Sequence, residues 1–473
     1  MDNRSRESLA GPIPQVVLLL ALATAGGLIV ARTSAGLSLG GALLLVVLLA
    51  SFLNTELALH IILLSMLLSP EILVGGVGGI ALGKPETKGD VLVLRMEDLV
   101  LVGVALAWFA RTAIFKELGL IRRTPLNRAI LAYVVSLVLA TLLGVFLGYV
   151  RPLRGFFYTL KYIEYFVVYF MAVNYMQEER QVRRLLATAF LTCAISALMG
   201  IAQIPSGERV AAPFEGKYGE PNTFGGYLVF MLALILGQAL SAKTLPSEAG
   251  WFTFAGLLAL PLLYTLSRSS WLAAIPMLLT LIFLSRRRLM LMIGLGILVI
   301  LGPVAFPKQV VDRYNYTLNA KEDRGEYRIG SSRLDTSTSA RLKSWEQGFQ
   351  AWQRTPFLGF GVTGFGFIDA QFVRVLVESG LVGLATFLWL LWRIFQIGTD
   401  VHRRVVGTRF EGLSLGYLAG LVALITHAIG ANTFIIVRIM EPFWFMTGIT
   451  TLLPSLLGKE LSKQDPIRSG PTA

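Results

Sequence analysis

Apolar residues along this chain fall into runs of about 17 to 22, broken by short polar or basic joints, the length a helix needs to cross a hydrocarbon core of ~30 Å. The runs lie near residues 14–30, 37–53, 57–73, 97–113, 129–149, 157–176, 185–204, 223–242, 251–267, 270–285, 289–306, 373–397, 413–430 and 433–455. No water reaches the backbone in hydrocarbon, so each run must bond its own amides and predicts a helix. The pattern predicts an all-α, polytopic transmembrane helical bundle of about 12–14 spans. It divides into N-terminal helices over 1–184, a second membrane region over 185–306, one large extracytoplasmic loop over 307–372, C-terminal helices over 373–455 and a tail over 456–473. The run from Ile13 to Ile29 has the look of a secretory signal ending at Ala23-Thr24-Ala25, but it is long for a signal core and another run follows at once. A retained first helix is the expectation.

Composition strengthens this reading: 55% of the residues are hydrophobic and 15% charged, against about a quarter charged in soluble proteins. Cys193, the single cysteine, lies inside an apolar run, which leaves no disulfide framework or thiolate metal site. A net charge of +13 would suggest nucleic acid in a soluble chain; here its placement matters more, and no nucleic-acid partner is expected. The clusters Arg111 to Arg128, Arg183-Arg184, Arg286-Arg287-Arg288, His402-Arg403-Arg404 and Lys459 to Arg468 fall on one side if every run crosses, and that side is the cytoplasm. Both termini are then cytoplasmic.

The segments 74–96, 205–222 and 307–372 come to the outer side. Within the last, Ser339 to Trp352 reads as an amphipathic helix with Ser339 as N-cap and Leu342, Trp345, Phe349 and Trp352 as a stripe. Such a stripe can lie among lipid headgroups or pack on the bundle. No internal repeat of the kind found in many transporters is visible.

The chain has no Walker loop, no nucleotide-binding glycine fingerprint and no metal-spaced cluster, so neither cofactor nor metal is expected. What stands out is basic residues on the outer half, the wrong side for orienting charge: Arg151, Arg154, Lys161, Arg209, Lys217, Arg268, Arg341 and Arg374. Guanidinium forks suit bidentate phosphate capture, and charge near a membrane is costly enough to point to function. Snorkelling or local pairing is the competing reading. Arg268 sits in the tight joint Leu266-Ser267-Arg268-Ser269-Ser270, which favours function. The outer acids are Asp98, Glu164, Glu215, Glu220, Asp369, Glu378 and Glu441. Lys161 with Glu164, Arg374 with Glu378 and Arg438 with Glu441 are spaced to pair along a helix. Asp369 has no basic residue within four positions and is freer to take a substrate proton.

Several of these residues form an ordered set. Glu220-Pro221-Asn222-Thr223-Phe224 opens the 223–242 run, and Ser267-Arg268-Ser269 joins two spans. Arg341-x-x-x-Trp345, Pro356 and Gly359-Phe360-Gly361 follow in the large loop. Asp369-Ala370-x-Phe372 then leads to Glu378-Ser379-Gly380-Leu381-Val382-Gly383. Over roughly 185–400 this order resembles the bacterial O-antigen ligase and O-antigen polymerase superfamily.

The resemblance implies a metal-independent glycosyltransferase of the inner membrane, working at its periplasmic face on glycan carried by undecaprenyl pyrophosphate. Ligases of the family transfer the chain to the lipid A core, and polymerases to another lipid-linked repeat unit. Membrane lipids and a chain-length regulator are further expected partners. Ligases usually carry His-Asn nine residues before the Glu-x-Gly segment, where this chain has Asp369-Ala370. Either Asp369 serves as the base there or the strict ligase assignment fails; the resemblance implies that polymerase-type members tolerate an acid at this place, which favours the polymerase branch. His427 is an alternative base, or a packed and satisfied histidine. Asp369, Arg268 and Glu378 are thus candidate catalytic residues. Arg151, Arg154, Lys161, Arg209, Lys217, Asn222, Arg341 and Arg374 are candidates for binding substrate and pyrophosphate. A transporter or flippase for lipid-linked glycan is the reading from another class.

Overall fold

The computed structural model describes residues 45–69, 71–74, 92–114, 122–214, 219–305, 307–318, 328–329, 332–333 and 336–464. The predicted run at 14–30 and most of that at 37–53 lie outside these, although 45–53 is helical. The elements are α1 (Thr55–Leu68), β1 (Glu71–Val74), β2 (Leu92–Arg95), α2 (Met96–Ile114), α3 (Asn127–Phe146), α4 (Pro152–Lys161), α5 (Glu164–Tyr175) and α6 (Glu179–Gln203). There follow α7 (Pro221–Ser241), α8 (Leu245–Tyr264), α9 (Arg268–Leu284), α10 (Arg288–Ala305) and α11 (Lys308–Leu318). A short β3 (Arg328–Ile329) and β4 (Ser332–Arg333) precede α12 (Thr336–Trp352), α13 (Gln371–Val405), α14 (Glu411–His427) and α15 (Val437–Gln464). The chain is an all-α helical membrane protein. Among the described residues, five spans are long and apolar enough to cross a bilayer: α3, α4 with α5, α6, α7 and α13.

Most apolar runs become helices, and the exceptions have local causes. The 57–73 run stops as a helix at Leu68. Pro70 cannot donate to the ladder and forces the residue before it out of the helical region, and Ser69 is extended at ψ 139. The chain then enters β1, which pairs antiparallel with β2 from Glu71 opposite Arg95 to Val74 opposite Leu92. The 157–176 run is two helices, because the chain leaves the helix at Tyr162 and Ile163. Helix α13 is interrupted at Gly380, whose φ of 66° and ψ of −165° are outside any helix. The loop helix starts at Thr336, so Ser339 is a buried residue of the first turn rather than its cap. Helix α15 runs on to Gln464, past the predicted boundary at 455.

The core is organised around α7, 89% buried across its span. Its neighbour α14 approaches to backbone contact through Gly412, Gly416 and Gly420, spaced four apart on one face. A Cβ at Gly416 would stand 2.6 Å from the Ala233 carbonyl, and one at Gly237 would stand 2.3 Å from that of Gly412. Small residues permit this distance where lipid supplies no hydrophobic drive between helices. On the other side of the bundle, Trp444 of α15 packs against Tyr165, Phe166 and Tyr169 of α5 at ring separations of 6.4, 4.7 and 5.7 Å. Helix α12 packs on α13, with Trp345 and Trp352 against a cluster of Phe360, Ile368, Val373 and Val377, and leaves Phe349 exposed. Of its two predicted placements, packing on the bundle is the observed one.

The two ends of the bundle carry charge differently. At the end of Arg286 and Arg287, Arg287 meets Glu248 at 2.6 Å, Arg409 meets Glu179 at 2.5 Å and Arg184 meets Glu56 at 2.7 Å. At the opposite end of α9 and α14, arginines gather around one another.

Candidate active site

Helices α7, α9 and α14 bring one end of each to a common place. Helix α7 opens with Pro221 in its first turn, where the missing N–H costs nothing, and Asn222 follows. Only Thr265, Leu266 and Ser267 separate α8 from α9, and the turn is closed by Leu266 at φ 49°, a conformation that side chains with a Cβ rarely adopt. Ser267 caps α9 by accepting from the Ser270 N–H at 3.4 Å. Arg268 is therefore the first residue of α9, half-buried, rather than part of the loop. Arg209, from the segment after α6, donates its Nε to the Thr265 carbonyl at 2.9 Å and an Nη to that of Leu266 at 3.3 Å. It thereby caps α8 and fixes the strained joint.

Arg209 is also within electrostatic reach of Arg313, Arg268 and Arg341. Burial of part of its side chain, followed by these like charges, pushes the Arg209 guanidinium down to about 10. Arginines from three other segments thus lie within electrostatic reach of Arg209, a local excess of positive charge that would favour an anion. Arg341 of α12 also donates Nε and Nη2 to Asp369 Oδ2 at 3.2 and 3.1 Å. Asp369 is consequently not the isolated carboxylate that its sequence neighbours suggest: its partner comes from 28 residues away. Both bonds fall on Oδ2, and the Asp369 side chain is 31% exposed.

Asn222 and Arg268 are joined through a buried polar chain. Ser267 Oγ donates to Asn222 Oδ1 at 2.8 Å, Ser270 Oγ donates to Ser267 Oγ at 2.9 Å, and His427 Nε2 lies 3.2 Å from Ser270 Oγ. His427 Nδ1 meets Thr433 Oγ1 at 2.8 Å. The histidine is fully buried and engaged at both nitrogens, as the packed reading expects. Nearby, Ser269 Oγ donates to the Gly430 carbonyl at 3.2 Å, and Asn432 Nδ2 donates to that of Ile368 at 2.8 Å. The backbone on either side of Asp369 is held by that contact and by the Gln371 N–H bonded to Ala428 O at 3.1 Å.

Glu378 and Arg374 occupy a different place. Their 3.1 Å pair joins a buried carboxylate to a partly buried guanidinium, Tyr162 donates its hydroxyl to the other carboxylate oxygen at 3.1 Å, and the Thr363 N–H reaches Oε1 at 3.3 Å. The break at Gly380 leaves helix carbonyls and amides without helical partners, and the 356–361 loop supplies them. Phe360 and Gly361 donate to the carbonyls of Val377 and Glu378, while Leu381 and Val382 donate to those of Pro356 and Phe357, all at 2.8–3.1 Å. Arg151 immediately precedes α4, which carries Arg154 and Lys161 and reaches this latch through Tyr162; Arg154 and Arg374 also lie over the rings of Tyr158 and Tyr162, respectively.

The fold therefore gathers Asn222, Arg209, Arg268, Arg341 and Asp369 at one site and sets Glu378, Arg374 and the α4 cations at another. Lys217 lies outside the described residues. Arg313, Ser270 and Tyr162 escaped sequence reasoning; the amphipathic stretch at 308–318 was the available signal for the first, and nothing local marks the others. No curated protein matches the chain. Residues 252–388, which run from α8 through the arginine joint and Asp369 to the middle of α13, match the family model described as O-antigen ligase.

Proposed function

We propose that this protein is a glycosyltransferase of the bacterial inner membrane that lengthens or transfers glycan carried on undecaprenyl pyrophosphate at the periplasmic face, acting as a polysaccharide polymerase. The observation that carries the proposal is the grouping of Arg268, Arg313 and Arg341, all within the family-matched residues, around Arg209, with Arg341 bonded to Asp369. A pyrophosphate between the guanidinium groups would have its developing charge stabilised as the bond from the anomeric carbon to the leaving phosphate oxygen breaks. The acceptor hydroxyl forms the new bond to that carbon, and its proton passes to Asp369 through Oδ1, the oxygen that Arg341 does not engage. An arriving pyrophosphate competes for Arg341, so occupation of the site loosens the carboxylate from its cation as the base is needed.

Asp369-Ala370 in place of the ligases' His-Asn supports the polymerase. The family model's description favours the second reading, transfer to the lipid A core. Purified protein given only a lipid-linked repeat unit should produce a ladder of longer products. Products formed only when lipid A core is supplied would establish the ligase instead, and glycan translocation across vesicles without either product would establish a transporter.

A further inference from the structure

With a neutral imidazole, which also bonds to the Asn222 main chain, the hydrogen-bonded chain of side chains from Asn222 to Thr433 has two self-consistent polarities. A hydroxyl carries one proton. Ser270 gives its proton to Ser267 and Ser267 gives its own to Asn222 Oδ1, so Ser270 can only accept from the imidazole 3.2 Å away. His427 Nε2 then carries hydrogen, and Nδ1 accepts from Thr433. In the opposite polarity the Asn222 amide turns over, every hydroxyl reverses and Nδ1 becomes the protonated nitrogen. The tautomer of a buried imidazole and the orientation of a half-buried amide are therefore a single choice.

The chain is held firmly. Ser267, Ser270, His427 and Thr433 are fully buried, while Asn222 alone keeps an exposed edge. Gly225 and Gly226 of α7 make room for it, since a Cβ would stand 2.3 Å from Ser270 Oγ at the first and 3.0 Å from His427 Cε1 at the second.

We propose that His427 is a positioning residue which, acting through Ser270 and Ser267, holds the Asn222 amide with its NH2 group turned out toward the arginine cluster, as a further donor to a phosphate oxygen of the substrate. The identity of that ligand rests on the pyrophosphate reading above; the polarity of the chain does not. Buried as it is, His427 reaches no substrate, which distinguishes this role from that of a base.

The test uses the full chain in lipid nanodiscs, labelled with 15N-histidine. The chain has three histidines, so the signal lost in His427→Leu identifies the residue. The expected state is the Nε2–H tautomer, and an Nδ1–H tautomer overturns the proposal. Binding of inorganic pyrophosphate, followed by calorimetry, should weaken about tenfold in Asn222→Ala, the order of effect of one hydrogen bond to a charged group. His427→Leu and Ser270→Ala should each weaken it several-fold, and His427→Gln, which restores an N–H donor, should recover part. Neither change should weaken binding further in the Asn222→Ala background. An equal loss in that background makes His427 merely structural and removes the proposal. If the unsubstituted protein binds no pyrophosphate, the donor reading fails, and the tautomer still decides the polarity.

Discussion

Asp369 and Arg268 are the residues on which the proposed chemistry turns, and each has a substitution that separates role from fold. General-base assistance is typically worth ~10²–10⁴ in rate, so Asp369→Asn should lose turnover on that scale while keeping fold and pyrophosphate binding. Asp369→His should regain part, because an imidazole restores a base at the position that ligases use. A mild loss in Asp369→Asn would mean that charge stabilisation by the arginines dominates. Arg268→Lys keeps the charge and loses the planar fork, so activity should fall steeply with thermal stability unchanged. Full activity in Arg268→Ala would remove Arg268 from the mechanism. The sequence order of motifs was enough to single out Asn222, Arg268, Arg341 and Asp369, because three stand at the ends of spans and Arg341 on the amphipathic helix of the large loop. It was not enough to pair them. The partner of Asp369 is 28 residues away, beyond any spacing rule, and the apparent freedom of this carboxylate came from looking only along the chain.

Elements were legible where hydropathy controls them and obscure where a single backbone angle does. The runs became helices almost one for one among the described residues, because lipid leaves the backbone no alternative. The break in α13 was invisible, since Gly380 is apolar, sits in an apolar run and acts through a positive φ. Gly380→Ala would put a Cβ 2.2 Å from the Phe357 carbonyl and strain the backbone, so it should lower the thermal midpoint sharply in detergent. Glu378, although a candidate for catalysis by sequence, is placed by its partners to hold this break. Glu378→Ala leaves the partly buried Arg374 without its carboxylate and should cost up to about 3 kcal/mol. Replacing both residues with apolar ones should restore much of that stability, which a catalytic role for Glu378 would not predict for activity. The stripe Gly412, Gly416 and Gly420 belongs to the same scale: it reads as unremarkable composition until α7 is found pressed against it.

At the scale of the molecule, the opposed ends make the orientation testable. A cysteine at Thr336, where the helix that carries Arg341 begins, should react with an impermeant maleimide in intact cells, and one at Arg287, among the ion pairs of the other end, should not. Labelling of position 287 would reverse the orientation and with it the proposed periplasmic placement of the site. The native Cys193 is fully buried and should stay unlabelled.

One contact links the order of synthesis to stability. Arg438, fully buried, gives an Nη hydrogen to the Ser69 carbonyl at 3.1 Å, where Pro70 has ended α1. These residues are 369 positions apart, so α1 emerges from the ribosome and enters the membrane long before this partner exists. Until α15 arrives, the carbonyl end of α1 must be served by water or lipid headgroups at the membrane surface. The last helix to be made thus completes the bonding at the end of one of the first. Chains truncated before Val437 should accordingly be cleared by membrane proteases as whole molecules rather than persist as a stable N-terminal bundle.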